Sequence, residues 1–220
     1  MYKILDTRIK AQKVLQLILA IVVVALVYVV YRQVATPIEF EGDKNRREAV
    51  VIERIKDIRA AQRAFKSKYQ HFTGDFDSLI NFVLNDSLVM ERKLVDEDDS
   101  VAMAALKAKK IKNVEKFSMA VIDTIFSPKK LTEQDVRNFR YIPGTGNQAE
   151  FIMAAGNVTV GNVPVPVMVC KAPYKLFLDT VKYRQELINL IDECKNIYNK
   201  YPGIKVGDLE QPNNEAGNWE

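Results

Sequence analysis

The sequence has few of the residues that enzymes and metal proteins use most often. Its 220 residues include one histidine, His71, and two cysteines, Cys170 and Cys194. A single histidine excludes sites built from several histidine ligands, and a Ser-His-Asp triad would depend on His71 in a chain without a G-x-S-x-G motif. Neither cysteine belongs to a C-x-x-C pair. We therefore predict no catalytic site, no cofactor and no metal ion.

Phosphate-binding and calcium-binding motifs are also weak. The glycines of residues 143–147 (PGTGN) lack the lysine and hydroxyl residue of a P-loop and are typical of a turn. The acidic run Asp96–Asp99 is a weak calcium candidate, because it lacks the alternation and the glycine of an EF-hand loop.

The net charge is +4, and residues 1–31 hold four basic residues and one acidic residue. The rest of the chain is nearly neutral, which argues against a nucleic-acid partner.

The two cysteines leave one question open. In an oxidising compartment, a disulfide between Cys170 and Cys194 would stabilise the fold by about 2–4 kcal/mol if the geometry allowed it. The alternative is two separate buried thiols. The sequence alone does not show whether their Cα atoms lie within bridging distance, so both alternatives stay open.

The strongest signal is an uncharged run from Val14 to Tyr31, flanked by Lys13 and Arg32. At about 1.5 Å per helical residue this run spans roughly 27 Å, which is close to the hydrocarbon thickness of a bilayer. A buried core helix would rarely be apolar on every face, and a cleaved signal peptide usually has a shorter apolar stretch with a small-x-small site after it. We predict a transmembrane helix, which includes Val14, Leu15, Leu19, Val23, Leu26 and Tyr31.

The orientation of this helix follows less directly from the charges. Basic residues occur on both sides of the run, so their count shows no bias. The flank after Arg32 is acidic, and a short tail of residues 1–13 before a large domain suits a signal anchor. We expect a bacterial inner-membrane protein that crosses the lipid bilayer once, with a cytoplasmic N-terminus and a periplasmic C-terminal domain.

The remaining chain divides into a connector of residues 32–45, a folded domain of residues 46–209 and a polar tail of residues 210–220. Pro37 and Gly42 predict a helix interruption in the connector. Residues 46–69 predict an amphipathic helix with the core stripe Val51, Ile55, Ile58, Ala61, Phe65 and Tyr69. The opposite face is densely charged, which is typical of a solvated surface.

The later part of the domain predicts a sheet and a final helix. A short helix is expected after Asp75 or Asp77, and residues 88–99 (LVMERKLVDEDD) are expected to form a strand or an extended segment. A long helix is expected over 174–200. Four β-rich segments predict an antiparallel sheet: 117–126, 138–143, 150–160 and 163–172.

A glycine-asparagine pair and two prolines indicate the shape of this sheet, and the predicted elements together give the fold class. Gly161 and Asn162 fit a hairpin turn, and Pro164 and Pro166 suit an edge of the sheet or a strand that starts beyond them. The predicted fold class is α+β, with an N-terminal transmembrane helix, an amphipathic helix packed on an antiparallel sheet, and a long C-terminal helix.

Residues 55–82 (IKDIRAAQRAFKSKYQHFTGDFDSLINF) resemble the first helix, the turn and the second helix of type IV pilins and of type II secretion pseudopilins. The positions that carry the resemblance are Ile55, Ile58, Arg59, Ala61, Gln62, Ala64, Phe65, Tyr69, Gly74, Asp77, Ser78 and Leu79. The resemblance implies one continuous first helix on an antiparallel sheet. The chain has no prepilin cleavage sequence and no glutamate near the start of the apolar run. The resemblance together with these two absences therefore suggests that the chain is a divergent, non-cleaved relative of that scaffold.

These features together favour a structural or interaction protein. We expect the periplasmic domain to bind other membrane or periplasmic subunits of a pilus-like, secretion or motility apparatus, and self-association into a homo-oligomer is compatible with this function. One alternative is a sensory or ligand-binding ectodomain that acts through a partner. An anchored enzyme is the third hypothesis.

Overall fold

A single long helix organises the structure. The computed structural model describes the backbone of residues 2–108 and 112–220, and the side chains of this part from Lys13 onward except that of Val14. Helix α1 runs from Tyr2 to Tyr69. Its first buried residue among those described is Phe40. The helix therefore has an exposed apolar half and a second half that lies inside the folded domain.

The helix interruption predicted at Pro37 and Gly42 is wrong, because α1 continues through both residues. A proline inside a helix removes one backbone hydrogen bond and costs about 3 kcal/mol. Tertiary packing offsets this cost directly after the proline, where the rings of Phe40 and Tyr183 lie 5.4 Å apart. Contacts with the domain thus fix a stretch of helix that local propensity disfavours.

Helix α2, Phe76–Asn85, follows the turn after α1. Asp75, one of the two predicted caps, is its N-cap, and its carboxylate accepts a hydrogen bond of 2.8 Å from the backbone N–H of Ser78. The ring of Phe82 lies 5.2 Å from that of Phe65, which brings α2 against α1. The buried residues of α2 are Phe76, Leu79, Phe82 and Val83.

A small sheet follows α2. Strand β1, Ser87–Arg92, helix α3, Ser100–Ala108, and strand β2, Glu115–Ala120, come next along the chain. Strands β1 and β2 pair antiparallel and form a two-stranded sheet. The strand predicted over 117–126 is therefore only partly right, since helix α4, Val121–Ile125, begins directly after β2.

A strand predicted over 138–143 is wrong. Helix α5, Glu133–Arg137, leads into a 3₁₀ turn at Asn138–Arg140, and Tyr141 makes one isolated bridge to Glu150. A capping box at the start of α5 commits this stretch to helical geometry. Local capping thereby overrides the aromatic and apolar residues that favoured a strand.

The larger sheet has three antiparallel strands in the order β3-β4-β5, which are Ile152–Val160, Val163–Pro173 and Gly203–Gly207. The turn between β3 and β4 has φ values of 54° and 69° at Gly161 and Asn162, as a two-residue hairpin requires. Strand β5 pairs with β4 from Val169 onward. The prolines at 164 and 166 precede that point, so they lie where β4 is locally an edge.

The single long C-terminal helix predicted over 174–200 is not present. The chain instead forms helix α6, Tyr174–Phe177, helix α7, Arg184–Asp192, and a π-helical segment, Glu193–Ile197. Between α6 and α7, the carboxylate of Asp179 accepts two backbone hydrogen bonds of 2.9 and 2.8 Å. Such a side-chain turn competes with helix formation and accounts for the break.

The core lies between the second half of α1, helices α2 and α4, and the three-stranded sheet. The apolar side of α1 contacts strand β5 of this sheet and helix α2. The bulkiest fully buried side chains are those of Tyr183, Phe139, Phe177, Ile55, Ile58, Leu79, Ile142 and Met168.

Candidate functional site and interaction surfaces

The exposed half of α1 carries the predicted membrane span. Its large apolar side chains from Leu15 to Tyr31 are 46% to 70% exposed. By length and composition, this is a helix that could cross a membrane. The side chain of Val14 lies outside the described residues. The other span residues named in the prediction, Leu15, Leu19, Val23, Leu26 and Tyr31, are all exposed.

The core stripe of α1 lies in the other half of the helix. Its buried members are Val51, Ile55, Ile58, Ala61 and Phe65. Tyr69, the last member, is 43% exposed, and its hydroxyl donates a 2.7 Å hydrogen bond to a carboxylate oxygen of Asp86. The stripe therefore fixes α1 in the domain, and Tyr69 closes it at the surface.

The charged face of this half is not uniformly solvated, contrary to the sequence prediction. Asp57 is 8% exposed, and the Nζ atom of Lys129 lies 2.6 Å from its carboxylate and 3.1 Å from that of Glu53. Desolvation lowers the pKa of Lys129, but the hydrogen bonds to these two carboxylates outweigh it and raise the pKa. Arg54 donates a 2.6 Å hydrogen bond to the carbonyl oxygen of Asn138. These groups hold the chain around Lys129 and Asn138 against α1.

The polar tail packs on the same helix. Glu215 is 8% exposed and accepts a 3.0 Å hydrogen bond from Nε of Arg63. Arg59 lies 2.7 Å from a carboxylate oxygen of Glu220, and its guanidinium is 6.0 Å from the ring centroid of Trp219. The partners of these charges belong to the chain itself, so we assign the tail a structural role.

Cys170 and Cys194 are both free thiols in the structure. Cys170 is buried in the central strand β4, and desolvation raises its pKa to about 12. Cys194 lies in the π-helical segment and is partly exposed, and its pKa is also raised, chiefly by desolvation. Thiols with raised pKa values are weak nucleophiles. Neither cysteine has the environment of a reactive site.

His71 is a packing residue. Its ring lies 5.5 Å from that of Phe65 in an edge-on arrangement, and its Nδ1 atom is 3.0 Å from the carbonyl oxygen of Phe72. Among the side chains that the structure describes, no group of three or more His, Cys, Asp or Glu residues is placed to hold a metal ion. In the acidic run, Asp99 accepts a 3.0 Å hydrogen bond from the backbone N–H of Ala102. That carboxylate therefore serves the start of α3.

Residues 87–120, here called the arm, form a surface of a different kind. None of the arm residues that the structure describes is buried. Val89 is 68% exposed and Val101 is 79% exposed. In the register of β1 and β2, Leu88 lies opposite Met119 and Met90 lies opposite Phe117, so these four apolar side chains share one face of the small sheet, where Leu88 also packs against the domain core.

The strands of the arm also have open edges. Within the described part of the chain, β1 and β2 pair with each other and with no other strand. Ion pairs of 2.7 Å between Arg92 and Glu115 and of 3.0 Å between Lys116 and Glu91 link the two strands. A two-stranded sheet is marginally stable alone, and an open edge can accept a further strand. The arm thus combines exposed apolar side chains with unpaired strand edges.

A groove of about 680 Å³ lies where the apolar run of α1 ends. It is bounded by α1 from Tyr28 to Pro37 and by residues 181–186, which comprise the turn before α7 and the first residues of that helix. Val181 is 89% exposed. Sequence reasoning missed this groove because it assigned the turn to a long helix. The signal that predicts the turn is Asp179, placed two residues before an exposed valine.

The arm was missed for a related reason. Its segments carry enough apolar residues to suggest ordinary elements, and a single sequence does not show which elements lack a core to cover them.

Comparisons with protein-family models, with curated proteins and with solved structures find no match for this chain.

Proposed function

We propose that this chain is a single-pass membrane protein whose domain binds another protein subunit through the arm. Residues 14–31 cross a bacterial inner membrane, residues 1–13 lie in the cytoplasm and the folded domain lies in the periplasm. The domain then acts as a structural subunit of an envelope assembly of the pilus-like, secretion or motility type.

The exposed half of α1 supports the membrane anchor. A fully exposed Val or Leu side chain forgoes roughly 1.5–3 kcal/mol of burial free energy in water. Leu15 and Val24 are 66% and 70% exposed, and the residues between them are also exposed. A bilayer would cover all faces of this helix at once, whereas a single protein partner would cover one face. Lipid is therefore the environment that fits the whole run best.

The single observation that carries the interaction function is the arm. Thirty-one of its positions are described, and none of them is buried, although Val89 and Val101 are strongly exposed apolar residues. Exposed apolar side chains beside an open strand edge fit a protein partner, because a partner supplies both apolar cover and backbone hydrogen bonds.

The resemblance to pilins and pseudopilins supports the same function. That scaffold has one continuous first helix, and α1 is continuous through Pro37 and Gly42. The sequence offers no prepilin cleavage site, so the proposal does not include processing before assembly. The partner is another membrane or periplasmic subunit, and a second copy of the chain belongs to the same class.

The arm is tested with matched substitutions in the full-length protein. Val89→Asp and Val101→Asp place a charge on the arm, and Val163→Asp places one on a 60% exposed valine at the β3-β4 hairpin. Tagged proteins are crosslinked in native membranes, solubilised and captured, and the partners are quantified by mass spectrometry. We expect recovery of the stoichiometric partner to fall at least about tenfold in the arm variants, as it does when interface hot spots are substituted. The hairpin variant should recover as much partner as the parent.

Two results would contradict this proposal. Equal partner recovery from the arm variants and the hairpin variant would remove the arm as the binding surface. Protection of the domain from protease added to spheroplasts would reverse the orientation. Circular dichroism of each variant confirms that a lost partner does not reflect an unfolded protein.

A further inference from the structure

The groove beside the end of the apolar run lies at a defined depth. It begins at Tyr28 and Val29, which belong to that run, and continues to Pro37. Nine residues of helix rise about 13 Å. The headgroup region of one leaflet is roughly 5–8 Å thick. If the run crosses a membrane, the groove therefore begins at the hydrocarbon boundary and extends through the headgroup layer.

The turn on the other side of the groove is held in a fixed shape. The Oδ1 atom of Asp179 accepts hydrogen bonds from the backbone N–H groups of Val181 and Lys182, at 2.9 and 2.8 Å. Val181 is 89% exposed, more than any other large apolar side chain that the structure describes. The exposed valine is thus presented by an ordered turn at the level of the membrane surface.

The charges around the groove are mainly positive. Arg32 lies on α1, Lys182 lies on the turn before α7, and Arg184 is the first residue of α7. Lys182 already contacts Glu39 at 3.3 Å. Among the described residues, Arg32 and Arg184 have no ion-pair partner within 4.0 Å, and Glu186 is the acidic residue of the lining. Two guanidinium groups therefore remain available on opposite sides of the groove.

We propose that this groove binds the phosphate of an anionic phospholipid headgroup and that Val181 inserts into the membrane interface. Guanidinium groups suit this ligand because they bind phosphate oxygens in a bidentate manner, and an exposed apolar side chain adds burial at the acyl boundary. The inference rests on the membrane anchor of the proposed function. It adds a second contact with the membrane, which would hold the domain at one orientation to the surface.

The depth of Val181 is measured in the full-length protein reconstituted into vesicles. The tryptophan fluorescence of the Val181→Trp variant is measured in phospholipids brominated at defined positions. The fluorescence of the unsubstituted protein comes from its single native tryptophan, Trp219. Trp219 contacts Arg59, which lies 27 residues beyond Arg32 on α1, about 40 Å along the helix. We expect bromine near the headgroup to quench the new tryptophan at least about twofold and to leave Trp219 nearly unaffected.

The headgroup is tested by lipid retention. Full-length protein is purified with phosphatidylglycerol or phosphatidylcholine, and bound lipid is counted by native mass spectrometry. We expect the double variant Arg32→Gln/Arg184→Gln to retain phosphatidylglycerol about tenfold less, because both phosphate contacts are lost. The matched control, Lys107→Gln/Lys130→Gln, removes the same charge from exposed positions outside the groove and should retain it.

The outcomes separate the two proposals. A protein that does not float with vesicles shows that the anchor itself is wrong. A protein that floats, but shows no quenching at Val181→Trp or equal lipid retention in the two double variants, overturns the groove alone. Displacement of phosphatidylglycerol by millimolar inorganic phosphate also overturns it, since the groove would then take free phosphate.

Discussion

The side chain of Gln62 pairs with both backbone groups of Thr73. Its Nε2 atom donates to the Thr73 carbonyl oxygen at 2.6 Å, and its Oε1 atom accepts from the Thr73 N–H at 3.2 Å. Gln62 is fully buried. The amide therefore replaces a stretch of backbone pairing where the chain turns from α1 toward α2.

Replacing Gln62 tests this connection. Gln62→Leu replaces the amide with an apolar side chain of similar size and leaves two backbone groups of Thr73 without their partner. We expect the free energy of unfolding to fall by about 2–4 kcal/mol, as buried unpaired polar groups require. Urea unfolding of the full-length protein in detergent, followed by circular dichroism, measures the change.

The control for this prediction is Gln134→Leu. Gln134 is exposed, and its side chain makes a long hydrogen bond of 3.4 Å to Asn138. Its substitution should change stability by less than about 0.5 kcal/mol. A similar loss in both variants would show that the Thr73 pairing contributes little.

Two glycines predict opposite effects of the same substitution. Gly207 has φ of +73°, and an added Cβ would meet the backbone carbonyl of Met168, so Gly207→Ala should destabilise the fold by about 2–4 kcal/mol. Gly42 lies inside α1 with open space around it, so Gly42→Ala should stabilise the protein by about 0.5–1 kcal/mol. Melting temperatures compare the two variants directly. Shifts of the same sign would contradict the prediction.

The sequence predicted those parts of the fold that local signals determine. The spacing of Ile55, Ile58 and Phe65 marks a helix with one buried side, and Asp75 caps the next helix. The Gly161-Asn162 pair specifies a hairpin because few residues adopt its positive φ angles. In each case the information lies within a few residues, and no distant contact is needed.

Other parts depend on contacts that a single sequence does not display. Pro37 stays helical because Phe40 packs on Tyr183, which is more than 140 residues away. Asp57 looks solvated on a helical wheel, but Lys129 covers it. The groove at Val181 exists because a side-chain turn at Asp179 ends a helix that periodicity alone would continue. Long-range packing and turn chemistry account for these misses.

The carboxylate of Asp86 predicts a pH dependence of stability. Lys68 and Tyr69 donate side-chain hydrogen bonds to it and lower its pKa to about 2, from an ordinary value of 3.8. Because the pKa is lower in the folded state, the ionised carboxylate stabilises the fold above about pH 4, and this contribution is lost as the pH falls toward 2. Asp86→Asn should therefore destabilise the protein near neutral pH.

The measurement compares unfolding free energies of the parent and of Asp86→Asn. Their difference should be largest near about pH 6 and should shrink toward about pH 2.5, where the native carboxylate also begins to be protonated. Asp123→Asn, at an exposed position of α4, serves as the control and should cause a small change at every pH. A difference for Asp86→Asn that grows on acidification would have the wrong sign.

The two free cysteines predict a difference in chemical reactivity. Cys194 is partly exposed, whereas Cys170 is fully buried in β4 with a pKa raised to about 12. A reagent reaches Cys170 only when the sheet opens, and an opening cost of about 3 kcal/mol would slow its modification at least about 100-fold relative to Cys194. Alkylation over time, read by mass spectrometry with Cys194→Ser as the control, should give one fast site in the parent and none in that variant.

Unfolding without reductant should release two thiols per chain. A single chain mass two daltons lower, with no thiol released, would reveal a Cys170–Cys194 disulfide and would contradict the two free thiols of the structure.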